Sequence, residues 1–78
     1  MRITVKLFGT LRRFSTPQSP GFWTGELPDE STVHDLIKSI GAEVDEVAAA
    51  SINGTVRRLD TKIDGNDEIL LVTTMGAG

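Results

Sequence analysis

Glu68-Ile69-Leu70-Leu71-Val72-Thr73 decides how this chain folds. Its unbroken apolar run leaves no polar face, so it reads as a central strand buried under a helix on at least one side. Asp64-Gly65-Asn66-Asp67, just before it, is a turn signal. Beyond it stand only Thr74-Met75-Gly76-Ala77-Gly78. A central strand cannot stop inside a core, so the reading is a single domain over residues 1–74 with residues 75–78 projecting as a thin, flexible C-terminal tail. Fully extended, the stretch from Thr74 to Gly78 reaches about 16–18 Å. An ordinary frayed terminus is the alternative.

A central strand needs neighbours. Arg2-Ile3-Thr4-Val5-Lys6-Leu7-Phe8 alternates polar and apolar residues, with Ile3, Val5 and Leu7 on one face. Phe8 falls on the polar side and is expected to pack at the strand's end under a loop. Residues 10–21 hold Pro17 and Pro20 and read as a long loop. Phe22 to Leu27 is a short second strand, pairing with the first as a hairpin. In the second half, Ala48 to Ile52 and Thr55 to Leu59 flank Asn53-Gly54, the strongest two-residue hairpin signal in the chain.

Between the hairpins lies one helix. Val33, Leu36, Ile37 and Ile40 follow the i, i+3, i+4, i+7 spacing of a single helical face. Thr32 with Asp35 forms a relative of the capping box, Ser31 is a competing cap, and Gly41 stops the helix. Ala42 to Asp45 connects onward, with a short helical turn around Val44–Val47. One helix covers one face of a mixed sheet of about five strands, and the first and last strands are expected to be parallel neighbours. This is an α+β architecture of the β-grasp type.

The composition excludes several functions. The chain has 78 residues, eight Lys+Arg against eleven Asp+Glu, one histidine and no cysteine. A net charge of −3 disfavours a general nucleic-acid binder, and Arg12-Arg13 and Arg57-Arg58 read as solvated charges. Without cysteine there is no disulfide, no thiolate nucleophile and no thiolate metal site, and no metal is expected. No apolar run is long enough for a membrane span, and nothing at the N-terminus reads as a secretion signal, so a cytoplasmic protein is expected. His34 lies off the apolar helical face and reads as solvent-exposed. No serine or threonine stands in a nucleophile motif, and Gly76 and Gly78 precede no helix that could cradle phosphate. The chain does not read as an enzyme. Its distinctive group is the α-carboxylate of Gly78, unhindered at the tip of a tether of small residues.

In the order and spacing of its motifs the chain resembles the MoaD/ThiS family of ubiquitin-like sulfur carriers over nearly its whole length. The matching pieces are Val5 to Arg12, Ser31 to Ile37, Ile52-Asn53-Gly54, Ile63 to Ile69, and the glycine-ended tail. The opening motif and long first loop are closer to MoaD, the small subunit of molybdopterin synthase, than to the shorter thiamine carrier. The resemblance implies that a ubiquitin-activating-type enzyme adenylates the Gly78 carboxylate with ATP, and that sulfur displaces AMP to leave a thiocarboxylate. That group would deliver sulfur to an acceptor enzyme such as the molybdopterin synthase large subunit. Gly76 and Ala77 would form the thin approach, Phe8 and Met75 would meet the partner, and no cofactor would be bound by the chain itself. The family pattern ends in Gly-Gly, so Ala77 asks a partner channel to admit one more methyl group. A non-covalent interaction module and a modifier conjugated through Gly78 are the competing functions, with thiamine or cysteine pathways as other destinations for sulfur.

Overall fold

In the computed structural model, which describes residues 1–73, the first and last strands lie side by side and parallel, with Val5 beside Ile69, Lys6 beside Leu70 and Leu7 beside Leu71. They are β1 (Arg2–Leu7) and β5 (Ile69–Thr73). Between them in sequence come β2 (Phe22–Glu26), α1 (Val33–Ile40), β3 (Val47–Ile52) and β4 (Thr55–Arg57). The sheet order is β2-β1-β5-β3-β4, so β5 is central, as its apolar run requires. β2 pairs antiparallel with β1, and β3 pairs antiparallel with both β4 and β5. The architecture is the expected β-grasp. The boundary at residue 74 and the tail residues Met75, Gly76, Ala77 and Gly78 lie outside the described residues.

Alternation puts Ile3, Val5 and Leu7 of β1, Ala50 and Ile52 of β3, and Ile69 and Leu71 of β5 on one face. The α1 stripe, Val33, Leu36, Ile37 and Ile40, buries against them. Val5, Leu36, Ile37 and Leu71 lose all contact with solvent. Each such side chain contributes about 1.5–3 kcal/mol by leaving water.

The start of α1 shows why β4 is short. A helix leaves its first four N–H groups without intrahelical partners. Here Val33 N–H donates to the Thr61 carbonyl and His34 N–H to the Leu59 carbonyl, at 3.0 and 2.9 Å. Asp35 N–H donates to the Thr32 hydroxyl, and Asp35 Oδ2 accepts from Thr32 N–H, which is a reciprocal capping box. The expected strand over Thr55–Leu59 therefore ends at Arg57, because Leu59 and Thr61 are drawn across to the helix. At the other end, Gly41 takes the left-handed conformation that closes α1 (φ 98°).

Two expectations for the first half are corrected. Residues 10–21 are not loop throughout, for Gly9–Phe14 forms a 3-10 helix that buries Leu11 completely. Leu11 and Phe14 are three residues apart, the repeat of a 3-10 turn, so both reach inward. Phe8 is not covered by a loop; it is 36% exposed. The sharp turn at Gly9 (φ 62°) carries the chain away beside Thr73, where a Cβ on Gly9 would overlap the Thr73 hydroxyl. The expected turn near Val44 is a 3-10 segment, Val44–Glu46, tied to the first 3-10 helix by the Arg13–Glu46 ion pair.

The Thr32 N–H and hydroxyl hold the Asp35 carboxyl below its ordinary range, and the Arg13 guanidinium and Glu43 N–H do the same for Glu46. Both groups have depressed folded-state values. Their stabilisation is therefore present above the unfolded values, near 3.8 and 4.5, and is lost as pH falls through the lower folded ones. Thr32→Ala is expected to cost about 1 kcal/mol in urea unfolding at neutral pH. The same variant should lose somewhat less further stability than the wild type on acidification below pH 4, because the hydroxyl's hold on Asp35 is gone while the bond from the backbone N–H of residue 32 remains. Gly9→Ala should cost about 1–3 kcal/mol through its left-handed backbone and the overlap with Thr73.

Candidate functional site

One face of the sheet is covered by α1 and, among the described residues, the other is open. Pairing fixes what the open face carries. Arg2 stands opposite Glu26, Thr4 opposite Thr24 and Lys6 opposite Phe22 across β1 and β2. Lys6 and Ser51 flank Leu70 from either side, and Ala49 stands beside Val72. On the far edge Val56 pairs with Ser51 and is 71% exposed.

The open face is graded along its length. At one end Arg2 and Glu26 form an ion pair at 3.9 Å, and the Thr4 and Thr24 hydroxyls are 3.4 Å apart. At the other end apolar side chains gather around Lys6. Phe8 N–H donates to the Leu71 carbonyl at 3.0 Å, which seats Phe8 next to Val72. The Lys6 Nζ lies 5.3 Å from the centre of the Phe8 ring, a cation–π contact on the same side of the sheet. Phe22 extends the patch onto β2, and a shallow groove of about 450 Å³ runs from Phe22 and Lys6 to Leu70, closed at its far end by Asp67 and Glu68.

Phe8, Phe22 and Val72 are each a little over one-third exposed. They lie at the end of the sheet where β5 finishes at Thr73. Clustered apolar side chains beside an otherwise polar face form a candidate contact surface. Phe8 is thus placed where a partner can reach it. Met75, Gly76, Ala77 and Gly78, the other residues singled out from sequence, lie outside the described residues.

Sequence reasoning missed Phe22, Leu70 and Val72 as surface residues. A signal existed for two of them: β1 is polar on the face it shares with Leu70 and Val72, so a parallel neighbour with apolar residues on both faces must expose one set. Phe22 was legible only through the register, which sets it opposite Lys6.

The rest of the surface offers little chemistry. His34 is exposed on α1, off the apolar stripe, as its spacing predicts. Among the described residues no group of three His, Asp or Glu could hold a metal ion, and no helix is long and apolar enough to cross a membrane.

Comparison with known proteins places this geometry. Two crystal structures of small archaeal modifier protein 1 from Haloferax volcanii superpose with TM-scores of 0.71 and 0.68, at 18% and 19% identity. The first match covers 95% of this chain and 98% of that one, and the second covers both chains fully (100%). A structure described as molybdopterin converting factor, subunit 1, from Pyrococcus furiosus gives a TM-score of 0.70 at 21% identity, covering 96% of this chain and 99% of that one. At these identities the likeness is one of fold. No curated protein matches the chain. The model of the ThiS family, however, matches residues 5–78, from the middle of β1 to the last glycine. The chain belongs to the ThiS family, and its fold is that of the ubiquitin-like sulfur carriers and modifiers.

Proposed function

We propose that this protein carries sulfur on the carboxylate of Gly78. What chiefly supports the reading is the placement of β5. The central strand, held between β1 and β3, ends at Thr73 in the midst of the exposed patch of Phe8 and Val72. A partner gripping that patch holds a surface only a few residues from Gly78, within about 16–18 Å of extended chain.

The chemistry follows from the weakness of a carboxylate as an electrophile. An adenylating enzyme joins the Gly78 carboxylate to the α-phosphate of ATP and releases pyrophosphate. Hydrosulfide then adds to the acyl carbon and AMP departs with the C–O bonding pair, leaving a thiocarboxylate. The thioacid, a good nucleophile, enters an acceptor enzyme and gives up its sulfur. The acceptor favoured by the opening motif is an enzyme of the molybdopterin synthase type, and the shared fold with the Pyrococcus protein agrees with it. In this reading the chain is a carrier whose partners supply the catalytic groups and the ATP.

A second reading has a specific observation in its favour. Both modifier structures share the fold at nearly full length. In that case a lysine amine of a target protein attacks the Gly78 adenylate, expelling AMP and forming an isopeptide bond.

Incubation with ATP, sulfide and the adenylating enzyme from the same cell is expected to exchange one oxygen of the chain for sulfur, read by intact mass. Products of chain plus target protein, with no thioacid, would instead select the modifier. Removing Gly78 should abolish both outcomes and leave the thermal midpoint unchanged. Ala77→Gly should react at least as fast as the wild type. Phe8→Ser and Val72→Ser should each cost about 1–2 kcal/mol, because roughly two-thirds of each side chain is buried, and leave the domain folded. They should lower the efficiency of adenylation by about tenfold, as truncating an interface anchor does. Wild-type efficiency in both would remove the patch from the site.

A further inference from the structure

Asn53 and Gly54 form the turn between β3 and β4, both in the left-handed region, with φ of 53° and 86°. Asn-Gly is also the dipeptide most prone to lose its side-chain amide, because glycine has no Cβ to keep its backbone nitrogen away from the preceding side chain. The Gly54 nitrogen attacks Asn53 Cγ and forms a C–N bond. The side-chain nitrogen departs as ammonia with the displaced proton, leaving a succinimide. Water then opens the ring at either carbonyl, giving aspartate or isoaspartate.

In the folded chain the Asn53 carboxamide is held at both ends. Its Nδ2 donates to Asp67 Oδ1 at 3.0 Å, and its Oδ1 accepts from Glu68 N–H at 2.9 Å. The Asn53 backbone N–H donates to the Glu68 carbonyl at 2.8 Å, so the residue is fixed to the start of β5 from two directions. Asp67 is fixed in turn, its Oδ2 accepting from Asp64 N–H at 2.8 Å. The carboxamide faces the residues leading into β5, and its rotation toward the Gly54 nitrogen requires breaking both of its bonds.

We infer that Asn53 is a site of spontaneous deamidation that the fold keeps closed with the Asp67–Glu68 latch. The latch and the reaction compete for the same carboxamide. The rate in the native protein is then set by the small fraction of time the turn stands open. The reaction, once it happens, is self-sealing. The product carries a carboxylate where Asn53 donated its hydrogen bond, 3.0 Å from a carboxylate oxygen of Asp67. The two charges repel, and isoaspartate adds a backbone methylene to a two-residue turn. An aged chain therefore loses the bond to Asp67 and keeps at most the one from Glu68 N–H, so its turn is held less firmly to the start of β5.

Peptide mapping for aspartate and isoaspartate at residue 53, during incubation at 37 °C and pH 8, tests this. Asp67→Ala is expected to deamidate about tenfold faster than the wild type, because local opening becomes easy without global unfolding. Thr32→Ala, which loosens α1 on a different part of the domain, should match the wild type within about twofold. Equal rates in Asp67→Ala and the wild type would overturn the inference. Equal acceleration by Thr32→Ala would overturn it too, since global unfolding would then control the reaction. A second pair of variants tests the sealing step. Asn53→Asp should lower the thermal midpoint, and adding Asp67→Asn should restore it by exchanging donor and acceptor. A midpoint for Asn53→Asp equal to that of the wild type would show that the product closes the latch as well as asparagine does.

Discussion

The parallel contact between β1 and β5 is the constraint on which the rest of this domain depends. Parallel strands cannot be joined by a tight turn, and these two are the first and last in the chain. The chain between them must therefore cross over the sheet before it returns, and that crossing holds α1 on one face. With β1 on one side and β3 on the other, the backbone of β5 is hydrogen-bonded along both edges. Beyond Leu71 its C-terminal end, Val72 and Thr73, is paired with β3 alone.

The same contact sets the character of the open face. β1 brings Arg2, Thr4 and Lys6 outward, while β5 brings Leu70 and Val72, and the register aligns Lys6 with Leu70. Phe8, just past the end of β1, continues the row beside Val72 because its N–H bonds to Leu71. Polar residues thus occupy one end of the face, and apolar ones gather around Lys6 at the end where β5 finishes. Stability is supplied by the covered face, where Leu71, Val5 and Leu36 are fully buried, so the open face is free to be shaped by binding. Gly9 keeps the two needs compatible by taking the chain away past Thr73 without a side chain in between.

Much of this was legible in the residues. The spacing of Val33, Leu36, Ile37 and Ile40, with Thr32 and Gly41 at the ends, marks α1 to the residue, because capping and periodicity are local. Asn53-Gly54 marks its hairpin for the same reason. The central place of β5 follows from its unbroken apolar run. What was not legible depends on distant partners. Leu59 leaves the β4 strand because the start of α1 needs carbonyl groups, and no nearby residue announces that need. The Gly9–Phe14 helix is too short for periodicity to stand out beside two prolines. Phe22 joins the patch only through its register with Lys6. For the candidate site, composition pointed to the tail and the family resemblance to Phe8, while the tail itself lies outside the described residues, so the case for Gly78 rests on the family match to residue 78 and on where β5 ends.

The account stands on the Gly78 carboxylate being the group that a partner activates. Isotope exchange between pyrophosphate and ATP, catalysed by the adenylating enzyme of the same cell, reads that activation before any sulfur chemistry begins. Exchange that requires this chain and vanishes when Gly78 alone is removed is the predicted result. Exchange that proceeds equally with the shortened chain, or that the full chain never elicits, would contradict it.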